Sequence, residues 1–386
     1  MKRQPWLSLM LLAALNCVPS TRAQAPLFTP APGSPVSVGE GSGLLALADV
    51  NRDGKLDLIA QHLLQHLVTV HLGDGAGRFT AAPGSPLKLA WMPGAFKPGD
   101  VNGDGVPDLV VTGGDNGVVE IFSGNGSGGF ARAPGSPFQA GASAGFNING
   151  LQLVDINEDG NPDIIATSNM QNTFVTMFGD RRGNFTRGQT VTFPASEGRY
   201  SFAFGDTDGD GHPDVVITNS GDADRHEAGR AIILRGDGRG AFRSFAEMPV
   251  SAEARYLTLG DLNGDGRPDI VLTCGGNTGS NQISILLNQG GGRFALAAPV
   301  DLGRVAYAVI VADANRDRQN DLIVATVDSV TVLLNRKNGF APAPGSPYRA
   351  GPGAYHLATG DVNGDGRIDI AASSFEGRTV TVLLGQ

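Results

Sequence analysis

The sequence predicts an all-β fold, a seven-bladed β-propeller with four-stranded antiparallel blades, and three observations carry that prediction. A nine-residue pattern opens at Asp49, Asp100, Asp155, Asp206, Asp261, Asp313 and Asp361, with an acid at positions 1, 5 and 9, Asn or Asp at 3 and usually Gly at 6. Successive openings lie 48 to 55 residues apart, which is the length of one small sheet with its turns. Runs rich in β-branched and aliphatic residues flank each copy, such as Leu-Val-Val-Thr after Asp108, and nothing between copies is long enough for a helix. Finally, the two ends of the chain complement each other. The last unit stops after Val-Thr-Val-Leu-Leu at 380–384 and lacks the Phe plus Ala-Pro-Gly-Ser-Pro stretch found at 79–86, 130–137 and 340–347. That stretch stands instead at 28–35, so residues 27–39 are expected to complete the seventh blade and close the ring, an arrangement an open solenoid could not use.

Residues 1–23 read as a signal peptide. Lys2 and Arg3 precede an apolar run from Trp6 to Leu15, too short to span a bilayer comfortably, and small residues offer cleavage after Ala23 or Ala25. A lipoprotein anchor at Cys17 fits less well, because Leu15 and Asn16 stand where small residues belong. The expected product is a secreted protein, extracellular or periplasmic, in which residues 24–386 form one propeller. Its single cysteine, Cys274, rules out an intrachain disulfide and reads as a small buried hydrophobe.

Within each unit a first strand leads into the nine-residue loop and a second leads out. In the first unit these are 44–48 and 56–60, followed by a third strand at 68–72 and a fourth running from Phe79 towards Leu89. The loops carry the chemistry. Ca²⁺ takes six to eight oxygens, and a tight loop supplies them by turning alternate side chains inward around a glycine bend, with one backbone carbonyl at position 7. The candidate sets are Asp49, Asn51, Asp53, Lys55 and Asp57; Asp100, Asn102, Asp104, Val106 and Asp108; Asp155, Asn157, Asp159, Asn161 and Asp163; Asp206, Asp208, Asp210, His212 and Asp214; Asp261, Asn263, Asp265, Arg267 and Asp269; Asp313, Asn315, Asp317, Gln319 and Asp321; and Asp361, Asn363, Asp365, Arg367 and Asp369. Lys55, Val106, Asn161, His212, Arg267, Gln319 and Arg367 enter through their carbonyls. An EF-hand is excluded, since position 12 is Ala60, Val111, Ala166, Ile217, Leu272, Val324 or Ala372, none of them a metal ligand. Up to seven Ca²⁺ are expected, with the sixth loop weakest because Arg318 replaces the glycine.

The chain carries 38 acids against 29 Lys and Arg, with at least three acids in every loop. No basic stripe with interleaved aromatics appears, which argues against a nucleic-acid partner. The Gly-Asp-Val/Leu-Asn-Gly-Asp-Gly runs at 99–105, 260–266 and 360–366, and the variant at 204–210, resemble the FG-GAP or VCBS repeats of calcium-loop propellers, the type also found at the head of integrin α chains. That resemblance implies the propeller and the calcium loops. For function it implies binding, adhesion, or a lectin or other part of a secreted carbohydrate-active enzyme.

No catalytic set stands out. His62 and His66 have zinc-pair spacing, but Leu63 occupies the place of a catalytic Glu and the segment lies between strands. The protein is therefore expected not to be an enzyme but an extracellular binding module, its calcium structural and its protein or glycan ligand on the face opposite the loops. The long hairpins at 220–229 and 275–282 lie on that face. Trp91, Phe146, Tyr200, Tyr256, Tyr307 and Tyr355, near the starts of first strands, either pack blade tops together or form a rim for a ligand.

Overall fold

Each acidic loop closes a hairpin, and the chain then adds two further antiparallel strands before passing to the next unit. In blade two, Phe96–Gly99, Asp108–Thr112, Val118–Gly124 and Phe130–Arg132 pair in sequence order. A computed structural model describes residues 24–141, 147–168, 171–193, 200–219, 229–250, 254–274 and 281–386, and these form seven such sheets. The blades begin at Ser42–Ala48, Phe96–Gly99, Gly150–Val154, Tyr200–Gly205, Ala254–Gly260, Ala306–Ala312 and Ala354–Gly360. The leader, Phe146 and most of the two long hairpins lie outside the described residues, as does the Tyr200 side chain.

Second strands such as Asp57–His62, Asp163–Ser168 and Asp321–Thr326 are buried along their whole length. Both of their faces pack against neighbouring blades, so they read as continuous aliphatic runs rather than as alternating patterns. First strands of neighbouring blades touch one another and surround the central bore. The core is correspondingly divided into layers between blades. One such layer, for example, packs Ile156, Ile165 and Phe174 of blade three against Val215, Ile217 and Phe242 of blade four.

The ring closes as the ends of the chain imply. Phe28–Pro30 pairs antiparallel with Leu383–Gly385, and Val36–Ser37 pairs with 379–380 of the same last strand. Blade seven then packs on blade one, with Ala371, Val380 and Val382 against Leu45, Leu58 and Ala60.

The outermost strand departs from the expected continuous run. In blade one it splits into Phe79–Ala81 and Leu87–Lys88, both paired to the third strand. The intervening Ala-Pro-Gly-Ser-Pro turn explains the break, because proline cannot donate to a ladder. Its serine accepts a third-strand N–H instead: Ser85 from Val70, Ser136 from Ile121, Ser346 from Val332, and Ser34 from Val382 across the closure, all at 2.9–3.0 Å. Blades three and four lack the motif and keep unbroken outer strands, Phe185–Thr192 and Phe242–Val250.

Phe28 is 1% exposed and meets Tyr348 edge-on at 5.5 Å, so it anchors the closing strand. Phe28→Ala should therefore lower unfolding stability by about 3–5 kcal/mol in urea denaturation. A loss below about 1 kcal/mol would mean that the N-terminal strand does not complete the seventh blade in solution.

Candidate functional site

The ninth-position carboxylates are the best-buried part of every loop. Asp57, Asp108, Asp163, Asp214, Asp269, Asp321 and Asp369 are each no more than 1% exposed. One oxygen of each accepts the N–H of loop position 2 at 2.8–3.1 Å. The other accepts an N–H near the end of the third strand, at 2.7–3.0 Å. Each carboxylate thus ties its loop to its blade. Burial raises the pKa of Asp57, Asp108, Asp269 and Asp369, and brings Asp163 and Asp321 up to about 6; the two N–H bonds oppose the shift and the loop's other acids reinforce it.

The remaining ligand positions are held by nested turns. Position 1 accepts the N–H of position 6 at 2.7–2.9 Å in all seven loops. Position 3 accepts the N–H of position 5 at 2.8–3.1 Å. Position 5 accepts the N–H of position 7 at 2.7–3.0 Å. These bonds turn the three side chains inward and leave each oxygen a further lone pair. In the fourth loop, oxygens of Asp206, Asp208 and Asp210 converge within 4.8 Å of one another. Such an all-oxygen set fits a hard cation like Ca²⁺.

Position 6 lies at φ between 77° and 89° wherever it is glycine, and Arg318 adopts the same conformation at φ 67°. Its N–H still bonds Asp313 at 2.8 Å, so the sixth loop keeps the shared backbone at the cost of local strain.

Basic side chains also reach the fifth-position carboxylates, a feature the sequence pattern did not reveal. Arg235 pairs with Asp208 and Asp210, Arg267 with Asp265, Arg336 with Asp317, Arg367 with Asp365 and Lys55 with Asp53. Repulsion among the acids is therefore offset partly from within the protein, although exposed pairs contribute under about 1 kcal/mol each. Among the described residues no basic partner reaches Asp104 or Asp159.

A second signal lay at the end of the third strand. A Cβ at Gly124 would come within 2.3 Å of the Pro107 carbonyl, at loop position 8, and so the donor to Asp108 is glycine. Blades five and six carry Asn288 and Asn335 at the same place. Their amides donate to the equivalent carbonyls, of Pro268 and Asn320, and also reach the preceding blade's loop at Thr207 and Leu262.

The expected aromatic rim is only partly assembled. Tyr355 lies 6.0 Å from Tyr256 and 6.3 Å from Tyr307, joining blades five, six and seven, and 6.5 Å from Phe375. Trp91 is not part of this group; it packs over Gly113, beside Glu120 of blade two. The His62 ring is committed to the Glu40 carbonyl and the Thr69 hydroxyl, both at 2.9 Å, which leaves it no nitrogen for zinc. Cys274 is fully buried.

The FG-GAP-like repeat model matches residues 49–111, 100–166, 155–217, 206–272, 261–324 and 313–372, and the chain belongs to that family. Comparison with curated proteins finds no match. Among solved structures, the chain is similar to BBS1N in complex with ARL6DN soaked with mercury, at 14% identity and a TM-score of 0.62, covering 94% of this chain and 98% of that one. The lead-soaked form of the same complex gives 13%, 0.60, 94% and 97%. An Agrocybe aegerita lectin that recognises non-reducing terminal N-acetylglucosamine is 17% identical, with a TM-score of 0.55 and coverage of 88% and 87%. At these identities the likeness establishes the propeller fold.

Two substitutions test the loop geometry. Arg318→Gly should stabilise the protein by about 1 kcal/mol in chemical denaturation by releasing left-handed strain; destabilisation would contradict that conformation. Asp108→Ala strands two buried N–H groups and should cost about 2–4 kcal/mol, whereas an unchanged midpoint would mean that the carboxylate does not tie the loop to the blade.

Proposed function

We propose that the protein is an exported, calcium-stabilised propeller that recognises an extracellular protein or glycan and catalyses no reaction. The observation that carries this reading is the sevenfold recurrence of one loop geometry in which three inward carboxylate or amide groups and a buried aspartate share a single backbone frame. Repetition of that kind suits a structural role for the cation, since a catalytic metal would need one loop to differ from the rest and leave a coordination position open. Loops two and three, which have no basic side chain competing for their fifth-position carboxylates among the described residues, should bind most tightly, and loop six least.

Partner recognition is assigned to the face opposite the loops. A depression of about 550 Å³ lies there between blades six and seven, bounded by Arg304, Asp328, Arg349 and Pro352. Its two arginines favour an acidic or strongly hydrogen-bonding partner. A lectin reading has an observation of its own. A groove of about 660 Å³ between blades five and six sets Phe340 and Leu287 among Asn263, Asp301, Gln319 and Arg336, an apolar floor with a polar rim of the kind that stacks and hydrogen-bonds a sugar ring. The recognition of non-reducing terminal N-acetylglucosamine by the Agrocybe aegerita lectin makes glycans a sensible first panel.

Metal-stripped protein should gain thermal stability on addition of millimolar Ca²⁺, each saturated site contributing about 2.7 kcal/mol at a hundredfold excess over its Kd. A melting temperature indifferent to both Ca²⁺ and chelator would overturn the calcium reading. On a glycan array, calcium-dependent binding lost in Phe340→Ala would favour the lectin reading. Silence there, together with capture of a cell-surface protein that Arg304→Ala and Arg349→Ala release, would favour the protein partner.

A further inference from the structure

The first strands leave a bore along the axis of the ring, and residues of blades one to five and of blade seven line a cavity of about 250 Å³ there. Two basic side chains line it, Lys97 from blade two and His356 from blade seven. Among the described residues its wall contains no carboxylate. Among the described residues, two buried polar atoms on the same wall, His356 Nδ1 and Thr167 Oγ1, have no hydrogen-bond partner. The Ser201 hydroxyl, also on the wall, accepts the Leu257 N–H at 3.1 Å and so keeps its own proton to donate. In a protein whose formal charge is −9, the described wall carries an ammonium, an imidazole and hydroxyls but no carboxylate, and its other side-chain acceptors are the neutral amides of Asn149 and Gln152.

An ammonium in such a place calls for a counter-ion. Lys97 keeps contact with water in the bore, yet protein surrounds it, and the resulting loss of hydration lowers its pKa. The same enclosure, helped by the nearby ammonium, brings His356 down to about 4, so the imidazole is neutral at physiological pH. A neutral imidazole has one N–H to offer, and Lys97 has three. Part of the remaining wall is apolar, including Phe96, Leu151, Phe202 and Phe204, and Asn149, Gln152 and Tyr256 add polar groups beside them. At about 30 Å³ per water, the volume would hold roughly eight waters, more space than a bare halide needs.

We infer that the central cavity binds a small organic carboxylate, its anionic end between Lys97 and His356 and its short hydrocarbon part against the phenylalanine wall. The site is independent of the loop cations and of the ligand surfaces proposed above. Tyr256 is the other titratable group lining the cavity.

The imidazole of His356 reports on the site. Its C2 proton, assigned by loss of the resonance in His356→Gln, can be titrated by NMR in the full-length mature protein with Ca²⁺ held constant. Probes are butyrate, acetate and chloride. Butyrate should raise the His356 pKa from about 4, because an anion alongside favours the imidazolium, and calorimetry should register saturable butyrate binding weakened at least tenfold in Lys97→Met. That variant should retain the wild-type calcium-dependent melting temperature; if it fails to fold, Lys97→Gln serves in its place. A His356 resonance unmoved by all three anions would overturn the inference, as would butyrate binding undiminished without Lys97. Equal responses to chloride and butyrate would reduce the site to a halide site and overturn its assignment to an organic ligand.

Discussion

The structure depends on a buried aspartate that accepts one N–H from its own loop and one from the end of the third strand. Loop and blade are separate pieces of chain, and this carboxylate makes them one rigid object in every repeat. The bond to the third strand explains why the loop cannot hinge away when its outer carboxylates repel. In blade two the strand comes so close that a Cβ opposite Pro107 would meet its carbonyl, whereas in blades five and six Asn288 and Asn335 fill that place by donating to the equivalent carbonyls. Burying a charge in this way is costly, and the raised pKa values of six of the seven aspartates record that cost.

Charge is sorted by position around the ring. Acids gather on the loop face, where basic side chains already neutralise five of the fifth-position carboxylates in part. The axis, by contrast, holds a lysine and a histidine with no acid on the cavity wall among the described residues. Loops and bore differ in the groups they present: carboxylate and amide oxygens in the loops, an ammonium, an imidazole and hydroxyls in the bore. A single rigid scaffold can hold both because the first strands present one edge to the axis and their C-terminal ends to the loop face.

Closure removes the hazard that open sheets carry. Without Phe28–Pro30, the last strand, Thr379–Gly385, would expose a row of unpaired backbone groups able to recruit another chain. The hydrogen bond from the Val382 N–H to the Ser34 hydroxyl repeats across the two ends of the chain the contact that Ser85 and Ser346 accept within their own blades. The closing segment therefore docks like any other outer strand, although it is contributed from 348 residues away.

Repeats are legible in sequence because each copy confirms the others. The nine-residue spacing, the strand after each loop and the matching ends at 28–35 and 380–384 all follow from local chemistry, namely turn-forming residues, β-branched runs and a displaced motif. Those signals were enough to define the number of blades, the position of each acidic loop and the closure. Contacts between residues far apart in sequence were not legible. Arg235 reaches Asp208 and Asp210 through the pairing of strands within blade four, Asn335 reaches Leu262 of the adjacent blade, and Lys97 faces His356 because the ring curls back on itself; no local pattern marks a pair that only strand pairing and blade packing bring together. The unit and its count were thus determined by the chain's own repetition, and what the ring encloses at its centre was decided by tertiary structure, since a bore exists only once all seven blades have met.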